Sequence, residues 1–223
     1  MTMLLPWLPT LGACVLTAAL SLGLAASAGQ LPPAGAGWQP LFDGKTLANW
    51  ESTRFIGEGP VTVEDGQIVL AAGNDLTGIT WTGPDLPTTN YELALQAMRV
   101  QGSDFFAGVT FPVEDSFCSL ILGGWGGAIV GLSSVNGRDA SENDTTRSVA
   151  FESGRWYDVR IRVTPATIQA WLDEKQIVEQ DLKGHAVSTR FEVEPSQPLG
   201  VASWRTKAAL RDIRLRRLDG ATP

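Results

Sequence analysis

The sequence predicts an all-β, two-sheet antiparallel jelly-roll sandwich. Three observations carry this. Roughly a dozen short strand-like runs follow one another, Gly, Pro, Asn and Asp separate them at regular spacing, and no window holds a capped 3.6-residue apolar period over three turns. No internal repeat is visible.

Residues 8–28, "LPTLGACVLTAALSLGLAASA", are an apolar run without a charge that ends in Ala26-Ser27-Ala28. That small-x-small ending is what signal peptidase cleaves, so residues 1–28 read as a signal peptide and the protein as exported (periplasmic, cell-surface or extracellular). An uncleaved membrane anchor is the competing reading, because the run approaches the length of a spanning helix. Beyond this segment no membrane contact is expected. Residues 29–37, "GQLPPAGAG", form a Pro/Gly/Ala linker. Residues 38–218 form one β-domain, and 219–223 are a short tail. At about 195 residues, the mature chain is long enough to bury most of its unfolded surface in one domain.

Within the domain, "VTVEDGQIVLAA" is two strands around the hairpin pair Asp65-Gly66. "YELALQAMRV", "DFFAGVTFPV", "SFCSLIL" and "GAIVGLSSV" follow as further strands. "RWYDVRIRVT" places Tyr157, Val159, Ile161 and Val163 on one face and Asp158, Arg160 and Arg162 on the other, as in a sheet with one wet side. "TIQAWLDEKQIVEQDL" is a hairpin turning at Asp173-Glu174-Lys175. "PLGVASW" and "LRDIRLRRL" close the set, with "RDIRLRR" read as a solvated strand face.

Composition narrows function. The chain has 24 acidic and 17 basic residues, a formal charge of −7, which argues against nucleic acid as a partner. One histidine, His185, excludes multi-histidine metal sites and argues against an imidazole triad. After cleavage Cys118 is the last cysteine, so no intramolecular disulfide forms, and its apolar strand predicts an inert buried thiol.

The candidate site centres on "FCSLILGGWGGAIVGLSSV", where four glycines surround Trp125. A phosphate-binding glycine loop would lead into a helix, whereas this one leads into a strand and no Lys follows it. Core packing is the plain alternative for Trp125. Its lack of neighbouring side chains instead predicts an indole at a concave surface, a platform for a pyranose. Trp204 in "ASWRTK" is the second platform, since Leu199 and Val201 facing the core would put Ala202 and Trp204 on the other side. "NGRDASENDTTR" (136–147) is the densest polar segment. Its Asp139, Glu142, Asp144 and Asn143 could remain a solvated loop, or could serve Ca²⁺ or a sugar's hydroxyls. The spacing is not that of an EF-hand. Asp104, Glu114 and Asp115 bracket the strand "FFAGVTFPV" as alternative bases.

"GWQPLFDGKTLANW" (37–50) resembles the opening signature of the 3-keto-disaccharide hydrolase domain family, roughly G-W-x-x-L-F-[DN]-G-K-x-L-x-x-W. "PLGVASWRTKAALRDIRLRRL" is similar to that family's final strand pair, and "RWYDVRIRVTPATIQAWLDEKQIV" to its Trp-Tyr strand and following hairpin. Within the signature, Asp43, Lys45, Trp38 and Trp50 organise the N-terminal turn, the two tryptophans as core plugs. The resemblance implies a concanavalin A-like lectin/glucanase sandwich, exported, acting on glycosides oxidised to a ketone at C3. A ketone there acidifies the C2 proton, so a base can remove it and the glycosidic oxygen can leave. Two departures stand out. Where many members carry Glu-x-Gln-Ile-x-Asp this chain has "FCSLILGG", with Cys118, Leu120 and Gly123 on or near the polar positions, and Trp204 stands in place of a histidine. The reading that follows takes Trp125 and Trp204 as platforms, with Asn143 at the sugar. It takes Asp139, Glu142, Asp144 or Asp104 as base, and Arg147, Arg205 or Lys207 as the cation steadying the enolate. A non-catalytic glycan-binding module on the same fold is the alternative, and a structural envelope protein without sugar affinity a third.

Overall fold

The computed structural model describes residues 37–218 together with Met1. Apart from Met1 and Gly37, the signal peptide, the linker and the 219–223 tail lie outside the described residues. In chain order the strands are β1 (Gln39–Pro40), β2 (Trp50–Ser52), β3 (Val61–Glu64), β4 (Gln67–Leu70), β5 (Leu76–Trp81), β6 (Tyr91–Gln101), β7 (Ala107–Val113) and β8 (Ser116–Gly124). They continue as β9 (Ile129–Ser133), β10 (Arg147–Ser148), β11 (Trp156–Val163), β12 (Thr167–Leu172), β13 (Lys175–Asp181), β14 (Gly200–Trp204) and β15 (Lys207–Arg217). A short 3-10 segment, Phe191–Ser196, precedes β14.

Two antiparallel sheets result. One runs β13-β12-β11-β6-β15-β4-β3 with β1 on β15, and the other β10-β9-β8-β7-β14-β5-β2. The core lies between them. Leu93, Leu95, Tyr157, Val159 and Ile161 from the first sheet meet Val109, Phe111, Leu120, Leu122 and Leu132 from the second. Removing each such side chain from water is worth about 1.5–3 kcal/mol. The alternation expected for β11 is what the sheet uses. The Asp65-Gly66 hairpin turns with φ of 48° and 78°, the primed geometry that suits strand twist. The β12–β13 turn is one residue tighter than expected: Asp173 (φ 52°) and Glu174 make it, and Lys175 is already in β13.

"RDIRLRR" is more than a solvated face. Ile213 and Leu215 enter the core, and a bulge at Asp212 (φ 53°) keeps them in phase. Arg216 pairs with Glu92, a fully buried carboxylate that Arg160 and Arg162 also hold, at 3.0 Å and 2.7 Å. Aromatic faces back the arginines: Arg160 lies 3.7 Å from the Trp171 ring centre and Arg216 4.8 Å from that of Trp38. Trp50 packs in the core, whereas Trp38 is buried under arginines of β15.

Candidate functional site

The site lies on the outer face of the sheet that contains β8. Residues that turn away from the core there form two rows across the strands. Ser133, Ser119, Thr110, Gly200 and Thr80 stand in register as a row of hydroxyls broken by one glycine. Gly131, Ile121, Gly108, Ala202 and Gly78 make the next row, small except for Ile121. The 3-10 segment closes part of this face. Pro195 O accepts from Thr80 Oγ1 at 2.9 Å, and a Cβ on Gly200 would stand 2.6 Å from Ser196 O, so only glycine lets the segment sit down. What stays open is a cleft of about 270 Å³.

Phe105, Trp125 and Trp204 wall the cleft, Leu76, Ser119, Ile121 and Ser133 line its floor, and Asp104, Arg190, Glu192 and Val193 complete it. Trp125 is 45% exposed, so the indole stands at this concave surface and not in the core. Trp204 faces the same way, as the alternation with Leu199 and Val201 requires. Its amide donates to Phe105 O at 3.0 Å, and the two rings lie 6.4 Å apart. The glycines around Trp125 serve a tight turn more than they clear room for a ligand. Trp125 has φ of 49° and Gly127 110°, and a Cβ on Gly127 would stand 2.6 Å from Ser103 O. Of the four, Gly126 alone faces open space.

The polar groups come from four segments: the loop before β7, β8, β9 and residues 190–192. Asp104 Oδ1 accepts from Phe105 N at 2.7 Å and Oδ2 from Gly126 N at 3.1 Å, so this carboxylate fastens the Trp125 turn to the loop between β6 and β7. Arg190 donates through Nη1 to Asp139 Oδ2 at 2.9 Å and through Nη2 to Glu192 Oε1 at 2.7 Å. The Arg190 hydrogen bond holds the Glu192 carboxyl below its ordinary range. Ser119 Oγ shares a 2.8 Å hydrogen bond with Thr110 Oγ1, while Ser133 Oγ is buried without a partner. A buried hydroxyl left without a protein partner at a cleft wall is completed by water or by a ligand.

The expected residues divide. Trp125, Trp204 and Asp104 line the cleft, and Asp139 reaches it through Arg190. Asn143 turns inward instead. Its Nδ2 donates to Leu132 O, Arg138 O and Asp139 O, and its Oδ1 accepts from Thr145, so it organises its loop and has no free amide group for a sugar. Arg147 opens β10 and caps Asp144 O and Thr146 O. Neither it, Glu142 nor Asp144 lines the cleft. Arg205 pairs with Asp75 at 2.6 Å beside Trp204, and Lys207 begins β15 in the other sheet. Glu114 and Asp115 form the hairpin tip at the opposite end of β8 from Trp125. Among the described residues, no three of His, Cys, Asp and Glu come together to hold a metal ion. Asp139, an expected Ca²⁺ donor, is instead paired with Arg190. Burial pushes the Cys118 thiol up to about 12, as an inert core cysteine requires.

The outward positions of β8 are Ser119 and Ile121, while Cys118 and Leu120 point into the core. The hydroxyls on the cleft side of β8 and β9 are therefore those of Ser119 and Ser133, while Cys118 and Leu120 face away from the cleft. Strict alternation along "SFCSLIL" and "GAIVGLSSV" marks both serines from sequence. Arg190 and Glu192 carry no such signal, because their segment belongs to no strand.

The model of a 3-keto-alpha-glucoside-1,2-lyase-like domain matches residues 37–216. No curated protein matches the chain in sequence. Among solved structures, a Crh5 transglycosylase in complex with NAG is similar at a TM-score of 0.54 and 12% identity, covering 83% of this chain and 85% of that one. A structure described with endo-acting O-glycanases of the human gut microbiota that initiate mucin breakdown gives 0.53 and 12%, covering 81% and 96%. A candidate glycosyl hydrolase from Parabacteroides distasonis gives 0.51 and 13%, covering 82% and 94%. These likenesses are of fold.

Proposed function

Because the chain belongs to the 3-keto-alpha-glucoside-1,2-lyase-like domain family, we propose that it is an exported carbohydrate-active protein that seats a saccharide in this cleft and acts on 3-keto-glycosides. One observation carries the reading: three aromatic walls, an orphaned buried hydroxyl and an arginine–carboxylate pair share one cleft of sugar size. Aromatic faces take the C–H faces of a pyranose, and the hydroxyl and charged groups take its oxygens. The fold's similarity to proteins described as a transglycosylase and O-glycanases supports a saccharide as ligand.

In the catalytic form of this reading, Glu192 or Asp104 removes the C2 proton while Arg190 faces the ketone oxygen and takes up the enolate charge. The electron pair of the C2–H bond becomes the C1=C2 double bond, the bond from C1 to the glycosidic oxygen breaks, and that oxygen leaves with the proton the carboxylate took. Water added across C1=C2 then completes hydrolysis. A second reading, a non-catalytic glycan-binding module, is favoured by a specific feature. Glu192 and Asp139 are already paired with Arg190, and Asp104 already accepts two amides. A general base works best with a pKa near the working pH, and the Glu192 carboxyl is shifted the other way.

The deciding assay offers 3-keto-glucosides and their unoxidised parents, and reads reducing ends and glucal absorbance. Turnover of the keto sugars alone, lost in Glu192→Gln or Asp104→Asn, is expected of the enzyme. Binding without turnover means the module, and neither binding nor turnover overturns both readings. Export rests on the apolar run ending at Ala28, and N-terminal sequencing of the secreted protein tests it: Gly29 is the expected first residue.

A further inference from the structure

Arg99 is the most unusual charged residue of the sandwich interior. It lies in β6 in phase with Tyr91, Leu93, Leu95 and Ala97, which all enter the core, and it is 6% exposed. Among the described residues it has no carboxylate partner. Its Nη2 donates to Phe151 O at 2.8 Å, its Nη1 reaches Gly127 O at 3.4 Å, and its Nε has no partner. The guanidinium carbon lies 5.7 Å from the ring centre of Phe106 and 5.9 Å from that of Phe151. A buried cation without a counterion is an expensive way to fill a core position, and an apolar chain of the same length would be cheaper. What methionine could not do is tie two backbone carbonyls together.

One of those carbonyls belongs to the Trp125 turn. The cleft-side fastening of that turn is the Gly126 amide on Asp104. Arg99 holds the next residue, Gly127, from beneath, and a Cβ on Gly127 would stand 3.0 Å from its Nη1. The turn is thus clamped at consecutive residues by an anion above and a cation below, and Trp125 is the residue that immediately precedes them. We infer that Arg99 is a positioning residue for ligand binding: it never touches the saccharide, but fixes the direction in which Trp125 presents its indole. This rests on the cleft being a saccharide site with Trp125 as platform.

The test is a double-mutant cycle on the full chain, with methyl 3-keto-α-glucopyranoside as the titrated probe and calorimetry as the readout. Trp125→Ala is expected to weaken binding about tenfold or more, and Arg99→Met to weaken it about tenfold without lowering the melting temperature. In the Trp125→Ala background Arg99→Met should add nothing further, because the side chain it positions is gone. Hydrogen exchange over residues 123–129 should quicken in Arg99→Met while the strands stay protected. Should Arg99→Met not fold, Arg99→Lys carries the same cycle, since a lysine keeps the charge but cannot bridge both carbonyls. Equal losses in both backgrounds, or unchanged affinity and exchange, overturn the role given to Arg99. If the wild type does not bind the probe, or Trp125→Ala binds as well as wild type, the saccharide reading itself falls, and the exchange data still judge the clamp.

Discussion

Ser133 shows how one atom can divide structural from functional roles. Its hydroxyl is buried, faces the cleft and has no hydrogen-bond partner, although Ser119 beside it in register is satisfied by Thr110. An unsatisfied buried hydroxyl costs roughly 1–3 kcal/mol. Ser133→Ala should therefore leave stability unchanged or raise it by about 1 kcal/mol, while saccharide affinity falls, as paired unfolding curves and titrations would read. A serine kept for packing would show the reverse pattern, lower stability with affinity intact. At this scale the sequence was legible where periodicity reports direction. The alternation of "PLGVASW" placed Trp204 outward, and the bare neighbourhood of Trp125 placed its indole at the surface. Asn143 and Arg147 were not legible, because a dense polar loop looks the same whether its groups serve a ligand or each other. Here Asn143 ties together Leu132, Arg138 and Asp139, and Arg147 caps the carbonyls of Asp144 and Thr146.

Among the elements, β6, β11 and β15 carry the largest electrostatic commitment. Glu92 of β6 sits fully buried among Arg160 and Arg162 of β11 and Arg216 of β15, cross-linking three adjacent strands. Burial alone would push this carboxyl up, but the hydrogen bonds from Arg162 and Arg216 outweigh it and hold it below its ordinary value. A depressed folded-state pKa means the unfolded chain binds the proton more readily. The stabilisation is therefore complete above the unfolded value of about 4.3 and is lost as pH falls through the folded value. Glu92→Gln should cost about 3 kcal/mol at pH 7, the low end for a broken buried pair because the arginines are partly exposed, and the gap to wild type should narrow below about pH 4.3. Denaturant unfolding at a series of pH values measures both. A gap that stays constant from pH 7 to pH 3 would mean the ion cluster contributes nothing. The arginine row in "RDIRLRR" was visible as an alternation, yet its partner was not. Glu92 lies more than a hundred residues away, and only the strand order β11-β6-β15 brings them together.

For the molecule as a whole, the two-sheet sandwich followed from local signals. Turn pairs such as Asp65-Gly66 and the two-residue period of β11 specify strands and faces without knowledge of their neighbours. The strand order did not follow, because β14 pairs with β5 and β7 through contacts far apart in sequence. That order is also what builds the cleft: Trp204 from β14, Trp125 after β8 and Arg190 before the 3-10 segment meet only in the finished sheet. The central claim is that this meeting place is a saccharide site. A crystal structure of the protein soaked with a 3-keto-glucoside tests it most directly. The ring is expected against Trp125 and Trp204, with one of its hydroxyls on Ser133 Oγ and its ketone toward Arg190. A sugar bound on any other surface, with this cleft holding only water at saturating ligand, would contradict it.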